Sequence, residues 1–282
     1  MSEIPAKLMP LASMKSLGQC RSVYRTEKGI LKFCAGNAEA AREVHALLMA
    51  HELLNGAVRV PRLLQHDADW LLLEDLGEAA LTTEEHFRSA AEYLASLHRV
   101  DVSVSARGRL VDGGFCHYWG ESLRNRLRQE IEFARRAHLP LEEVARFRDV
   151  ADSVAALPVP PKSDVLGHGD PRIANFLLTS DGTACAIDWH DFGLSNRWYE
   201  VAHFIDSIEE GERAAAVIAY QSRSGLANFR EWESAFRYGA AVNYVIRAGF
   251  WARTASRENP EAAQRFMLYV RRLSELARSL AR

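Results

Sequence analysis

The stretch His168-Gly-Asp-Pro-Arg-Ile-Ala-Asn175 has an aspartate and an asparagine five positions apart on what reads as a tight loop. Two short apolar runs follow within residues 176–187, separated by a Ser-Asp-Gly turn, and this pattern predicts a β-hairpin. Because a hairpin returns the chain to its starting point, Ile187-Asp188-Trp189 is expected beside the loop. The sequence therefore predicts one small site that collects carboxylate and amide side chains from both segments.

The three side chains expected in this site suit phosphoryl transfer. That reaction needs a carboxylate beside the attacking hydroxyl and two oxygen ligands for Mg²⁺. Asp170, Asn175 and Asp188 supply those three groups. Taken alone, the loop pattern is also that of a polar surface turn, and the order of several weak motifs along the chain favours the catalytic interpretation.

The H-x-D-x-x-x-x-N loop and the following I-D-W segment resemble those of the aminoglycoside phosphotransferase and choline kinase-like family, relatives of the protein kinases. The resemblance is sharp over residues 165–202 and extends over nearly the whole chain. It implies an α+β, two-lobed protein-kinase-like fold. Residues 1–76 would form a small antiparallel nucleotide-binding lobe, and residues 77–282 a larger, mainly helical lobe for catalysis and substrate binding.

The pattern of apolar residues agrees with this division. Residues 22–34 predict a hairpin, residues 37–54 a helix with Asn37 as N-cap, and Trp70–Leu73 a buried strand. Beyond Gly77 the chain becomes helical. Helices are expected over 83–98, 119–137 and 141–157, and again from Tyr199 to the end.

The resemblance also implies a nucleotide site in the first lobe. Lys32 would be the phosphate-binding lysine and Glu43 its ion-pair partner, although a lysine in an edge strand and a glutamate on a helix face could each be merely solvated. Glu74 and Leu76 would belong to the hinge that meets the adenine edge. Ser22 would contribute to the loop that covers the nucleotide, which has a single glycine here. ATP and Mg²⁺ are the cofactors implied.

Two further positions need a choice. Asp191-Phe-Gly193 spells the protein-kinase metal-binding tripeptide, but Asp188 stands at the end of the apolar strand where the ligand belongs, so Asp188 is preferred and Asp191 is the alternative. Glu200 resembles an acid that supports the catalytic loop, and it could also be a simple helix N-terminal acid. His168 is expected to brace the backbone.

The acceptor is less defined. The family's familiar members suggest an aminoglycoside or other basic antibiotic, with resistance as the outcome, and Asp206, Glu209 and Glu210 could meet its ammonium groups. Those acids could equally be a solvated helix face. Arg172 lies in the loop and would repel a cation unless it is paired. A macrolide, a sugar or an amino alcohol such as choline therefore stays open.

Composition limits the other classes of function. A formal charge of −2 provides no basic field for nucleic acid or anionic lipid, so a small-molecule partner is expected. The four cysteines are dispersed, which favours a cytoplasmic protein over a disulfide framework or zinc ribbon. A catalytically silent kinase-like module would not need all of the residues above. A protein kinase is disfavoured because residues 191–200 are too few for an activation segment.

Overall fold

The computed structural model describes residues 15–16, 23–34, 36–77, 79–116, 118, 120–137, 139–226, 230–255 and 259–280. Ser22, the predicted nucleotide-loop residue, lies outside these ranges. No helix within them is long and apolar enough to cross a membrane.

An antiparallel five-stranded sheet forms the first part of the fold. Its strands are β1 (Lys15–Ser16), β2 (Val23–Thr26), β3 (Gly29–Phe33), β4 (Leu63–His66) and β5 (Trp70–Leu73), in the order β1-β2-β3-β5-β4. The β2–β3 hairpin and the buried strand β5 confirm two predictions, whereas β4 was not predicted. Lys32 is opposite Val23 on one side and Leu71 on the other. It therefore lies on the central strand of the sheet and not on an edge.

Helix α1 (Asn37–Leu54) follows the central strand β3 and packs against β4 and β5. Its buried face carries Glu43 together with Ala40, Ala46, Leu47, Met49, Ala50 and Leu54. The prediction that Asn37 is the N-cap is wrong, because Gly36 occupies that position without any side-chain cap and Asn37 is the first helical residue. Asn55 ends the helix in the left-handed conformation, with φ of 42°.

The rest of the chain is mainly helical, which confirms the predicted α+β arrangement. Its helices are α2 (Glu84–Leu97), α3 (Val104–Asp112), α4 (Gly120–Arg136), α5 (Leu141–Ala155), α6 (Arg197–Asp206), α7 (Arg213–Ser224), α8 (Trp232–Thr254) and α9 (Pro260–Leu280). Its strands are β6 (Ala79–Ala80), β7 (Asp164–Gly167), β8 (Phe176–Leu178), β9 (Ala184–Ala186) and β10 (Gly193–Asn196). Strands β8 and β9 form the predicted hairpin, which β6 extends, and β7 pairs with β10.

Two apolar clusters hold these elements together. One joins α1 and β5 to α2, β8, β9, α6 and α7, and the other lies among α4, α5, α8 and α9. The first cluster crosses residue 76, so the sheet and the helical part share buried contacts there. The loop of residues 168–175 follows β7, and Leu166 and Phe176 on either side of it belong to this shared core. The lobe boundary at residue 76 stays a prediction.

Candidate active site

The catalytic loop and the β8–β9 hairpin bring Asp188 beside Asn175. Phe176 pairs with Ala186 in the hairpin, and the backbone N–H of Ile187 donates to the carbonyl of Asn175 at 2.8 Å. This contact extends the ladder by one step beyond the strands. Asp188 is the next residue, so the hairpin delivers it to the end of the loop.

His168 fastens the start of the loop to the same place. Its Nε2 lies 2.8 Å from the carbonyl oxygen of Ile187, and because a carbonyl only accepts, Nε2 carries the proton. The ring is fully buried and packs edge-on against Trp189, with centroids 5.0 Å apart. His168 therefore braces the backbone, as predicted.

Glu200 on α6 accepts hydrogen bonds from the backbone of the loop. Its carboxylate accepts hydrogen bonds from the backbone N–H groups of His168 (3.0 Å) and Gly169 (2.7 Å) and from the hydroxyl of Ser195 (2.8 Å). His98 Nε2 lies 3.5 Å from it. Burial alone would raise the pKa of Glu200, but its donors, His98 first, outweigh burial and lower it. The acid thus supports the loop as an ion.

Gly169 allows the loop to pass close to the turn after β9. Its φ is +90°, and a Cβ built there would lie 2.3 Å from the carbonyl oxygen of Asp191. Both the backbone conformation and the space exclude a side chain.

Asp170 is held by three side chains. Arg172 forms a fork with it, at 2.6–2.9 Å, Asn175 Nδ2 donates to its Oδ2 at 2.9 Å, and His203 Nε2 lies 2.7 Å from its Oδ1. Burial alone would raise the pKa of Asp170, but His203 and then Arg172 outweigh it and hold the pKa well below its usual range. About a fifth of the side chain is exposed, at 20%. The carboxylate of Asp170 is therefore ionised and remains partly exposed.

Asn175 and Asp188 fit a Mg²⁺ ion. Asn175 uses its amide nitrogen on Asp170, so its carbonyl oxygen is turned to the other side and has no donor among the described residues. Asp188 has a left-handed backbone, with φ of 66°, and no described residue donates to its Oδ2. Two hard oxygen ligands, with nucleotide phosphates completing the shell, are what Mg²⁺ requires. No cluster of three or more His, Cys, Asp or Glu ligands occurs within the described ranges.

Lys32 joins the sheet to this site. Its Nζ lies 2.7 Å from Glu43 Oε2 and 2.7 Å from Asp188 Oδ1. Burial alone would lower the pKa of Lys32, but the two carboxylates outweigh it and raise the pKa above its usual range. The lysine is therefore a fixed cation at the point where β3, α1 and the segment after β9 meet.

Asp191 faces a different element from Asp188. Its Oδ1 is 2.9 Å from Arg42 on α1, and its Oδ2 is 3.4 Å from His190 Nε2. His190 Nδ1 is in turn 3.0 Å from Asp188. Hydrogen bonds to Asp188 and Asp191 raise the pKa of His190 to about 10. The geometry brings Asp188, and not Asp191, to Lys32.

At the hinge, Glu74 and Leu76 differ in what they can offer. The Glu74 carboxylate is tied to Arg59 (2.9 Å) and to the backbone N–H of Arg62 (3.2 Å), and its own N–H donates to Arg62. The backbone groups of Leu76 have no hydrogen-bond partner among the described residues. Among the described residues, the carbonyl oxygen of Glu74 and both backbone groups of Leu76 are thus without a hydrogen-bond partner at the predicted hinge.

The predicted substrate acids do not form one surface. Asp206 is mostly buried and pairs with Arg272 at 3.2 Å and Arg213 at 3.8 Å. Glu209 and Glu210 are exposed in the turn before α7. Arg172 is paired with Asp170, so its charge is compensated within the loop.

Comparison with known proteins agrees with this arrangement. A family model described as the phosphotransferase enzyme family matches residues 18–235. The chain belongs to this family. No protein of curated function matches the sequence of this phosphotransferase.

Solved structures share the fold of this phosphotransferase at low identity. A choline/ethanolamine kinase family protein from Mesorhizobium loti has a TM-score of 0.68 and 16% identity, over 98% of this chain and 95% of that one. The GDP and kanamycin complex of APH(2″)-IIia has a TM-score of 0.68 and 16% identity, over 95% and 96%. A microcompartment-associated aminopropanol kinase has a TM-score of 0.67 and 20% identity, over 94% and 91%. These likenesses confirm the protein-kinase-like fold.

Sequence reasoning missed two groups of contacts in the phosphotransferase. His203 and Asn243 form a buried chain to Asp170, with His203 Nδ1 2.7 Å from the Asn243 amide oxygen. Arg42 and His190 surround Asp191. For His203 a signal existed, since it stands one helical turn after Glu200 and so shares its face of α6. Asn243 carried no such signal.

Proposed function

We propose that this phosphotransferase transfers the γ-phosphate of ATP to a hydroxyl group of a small molecule and yields a phosphate monoester. The observation that carries the proposal is the continuous contact network from Glu43 through Lys32 to Asp188 beside the Asp170–Asn175 pair. It supplies a phosphate-binding cation, two metal ligands and a carboxylate base in one place. The nucleotide would lie between residues 1–76 and residues 77–282.

Each residue has a separate task in this mechanism. Lys32, held by Glu43, orients the phosphates, and Asn175 and Asp188 would hold Mg²⁺, which neutralises charge on the transferring phosphoryl group. Asp170 orients the acceptor hydroxyl and takes its proton. The hydroxyl oxygen then forms its bond to the γ-phosphorus while the bond to the bridging oxygen breaks, and ADP leaves with that electron pair.

The experiment that tests the base is Asp170→Asn. Asparagine keeps the size of the side chain but cannot take a proton, and its NH₂ group faces one of the donors around Asp170, so kcat should fall about 10²–10⁴-fold while ATP affinity barely changes. Steady-state kinetics measure kcat, and calorimetry with Mg-ATP measures the affinity for the nucleotide. Turnover close to wild type would remove the base assignment, and a collapse of ATP binding would make Asp170 a structural or metal-site residue.

For the acceptor, a basic antibiotic such as an aminoglycoside is one candidate and a smaller amino alcohol is the other. The pairing of Asp206 with Arg213 and Arg272 favours the smaller compound, because of the three predicted acids it leaves Glu209 and Glu210 to attract ammonium groups. A polycation would also approach Arg213 and Arg272, which share the single negative charge of Asp206.

A turnover screen would decide between these acceptors. We would follow ADP or GDP release with Mg-ATP and Mg-GTP over aminoglycosides, peptide antibiotics, macrolides, amino alcohols and sugars. Phosphorylation of an amino alcohol would support the smaller class, and phosphorylation of an aminoglycoside would support resistance. Nucleotide binding without turnover of any compound would favour a silent module. We place the reaction in the cytoplasm, where ATP is present and where thiols such as Cys34, Cys116 and Cys185 stay reduced.

A further inference from the structure

We propose that His203 is a positioning residue for the catalytic base, and that Asn243 holds it in that role. The proposal rests on the assignment of Asp170 as the base. His203 is buried, with 4% of its side chain exposed, and it lies between Asp170 Oδ1 and the amide oxygen of Asn243, at 2.7 Å from each. The mechanism above gives this ring no other task.

The contact with Asp170 fixes where the ring proton is. An ionised carboxylate only accepts hydrogen bonds, so a ring nitrogen 2.7 Å from it has to donate. A bare Nε2 would set two lone pairs against each other at that distance. His203 Nε2 therefore carries a proton.

Asn243 accommodates that proton in two ways. In the structure its amide oxygen faces Nδ1, which suits a ring protonated on both nitrogens, and its Nδ2 is buried without an acceptor among the described residues. If the Asn243 amide were rotated by a half-turn, its Nδ2 would donate to His203 Nδ1. This arrangement suits a neutral ring and gives both Asn243 Nδ2 and His203 Nδ1 a hydrogen-bond partner. In both arrangements Nε2 donates to Asp170.

His203 is also the most buried of the three groups that hold the base. It lies on helix α6 and stacks on Tyr199, with ring centroids 5.5 Å apart and planes at 22°. Arg172, by contrast, is 39% exposed and belongs to the same loop as Asp170. The same face of α6 thus holds the loop backbone through Glu200 and the reacting carboxylate through His203.

The first test reads the proton directly. Long-range ¹H–¹⁵N spectra of histidine-labelled, ligand-free protein report which ring nitrogens are protonated, and loss of one signal in His203→Gln assigns it. We expect a protonated Nε2 in the wild type. A ring protonated on Nδ1 alone, with a bare Nε2, would overturn the proposal, and this test needs no acceptor.

The second test uses turnover of an acceptor found in the screen. His203→Phe keeps a ring against Tyr199 but has no hydrogen-bond donor. We expect kcat to fall about 10- to 100-fold and KM for ATP to stay unchanged, because displacing a reacting group by up to about 1 Å costs that much in rate. His203→Gln keeps a donor and should recover part of the loss. Asn243→Leu should cost less than His203→Phe. The matched control is His51→Phe, which makes the same substitution at a histidine whose ring is hydrogen-bonded to the Pro61 carbonyl. This variant loses that hydrogen bond and should leave kcat unchanged.

A double-mutant cycle separates positioning from a structural role. If His203 acts through Asp170, then His203→Phe should cause no further loss in an Asp170→Asn background. Losses that multiply fully, or a His203→Phe enzyme with wild-type kcat, would overturn the proposal while the base assignment stands. Wild-type turnover in Asp170→Asn would instead remove the base assignment, and the role of His203 with it.

Discussion

Replacing Glu200 with glutamine should destabilise the protein by about 2–4 kcal/mol. The carboxylate is fully buried and accepts from His168 N and Gly169 N on different oxygens, Oε2 and Oε1 respectively. Glutamine turns one of these oxygens into an NH₂ donor. Whichever way the amide faces, one buried backbone N–H then meets a donor and loses its acceptor.

The magnitude follows from these contacts. An unsatisfied buried donor costs about 1–3 kcal/mol, and the remaining bonds lose the extra strength that a charged acceptor provides. Part of this loss is offset, because glutamine carries no charge and so avoids the cost of burying the ionised Glu200 carboxylate. Ser195→Ala is the matched control, because it removes one hydrogen bond to the same carboxylate and should cost only about 1 kcal/mol.

Urea unfolding followed by tryptophan fluorescence measures both variants, and kcat should fall in Glu200→Gln because the loop carries Asp170. An unfolding free energy for Glu200→Gln within about 0.5 kcal/mol of wild type would refute the reasoning, since surface substitutions reach that size. Such a result would mean that the loop backbone does not depend on this acid.

Three other predictions concern the residues around the metal ligands. Asp188→Asn should abolish Mg-dependent turnover while Asp191→Asn is far milder, and Mg²⁺ titrations with equal losses would restore the Asp-Phe-Gly register. Lys32→Met should raise KM for ATP more than Glu43→Gln does. It should also lower the urea midpoint, because it leaves the buried carboxylate of Glu43 without its cation. Unchanged ATP kinetics would contradict the assignment of Lys32 to the nucleotide phosphates. In the metal-free protein the pKa of His190 is raised to about 10, so protonation of His190 stabilises the fold fully below about pH 6.5 and progressively less as the pH rises toward 10. The unfolding free energy of the wild type should therefore fall between about pH 6.5 and 10 relative to that of His190→Gln. Parallel pH profiles for the two proteins would contradict this prediction.

Local patterns in the sequence predicted the parts of the site that are close in the chain. The loop motif, the β8–β9 hairpin and the β2–β3 hairpin each depend on turn residues and alternation within a few positions, so they could be predicted without tertiary information. The helix pattern gave α1 but not its cap. Helix α3 and strand β4 are short and were missed.

Long-range contacts could be predicted only through the family resemblance, or not at all. Lys32 and Asp188 are 156 residues apart, and nothing in their local sequence specifies the contact. The Asp170–His203–Asn243 chain spans separations of 33 and 40 residues. Asp206 is a further example, because nothing near it in the sequence indicates that arginines from α7 and α9 pair with it.

The direct contact between Lys32 and Asp188 has a consequence for the order in which ligands would bind under the proposed function. Lys32 has a third proton and Asp188 a second oxygen, so neither group has to leave its partner to meet a ligand. A metal ion that arrived alone would meet the positive charge of Lys32, and phosphates that arrived alone would meet the negative charges of Asp188 and Glu43. By linkage, each component would raise the affinity for the other by the same factor, so the resting ion pair would act as a selector for the complete metal–nucleotide complex.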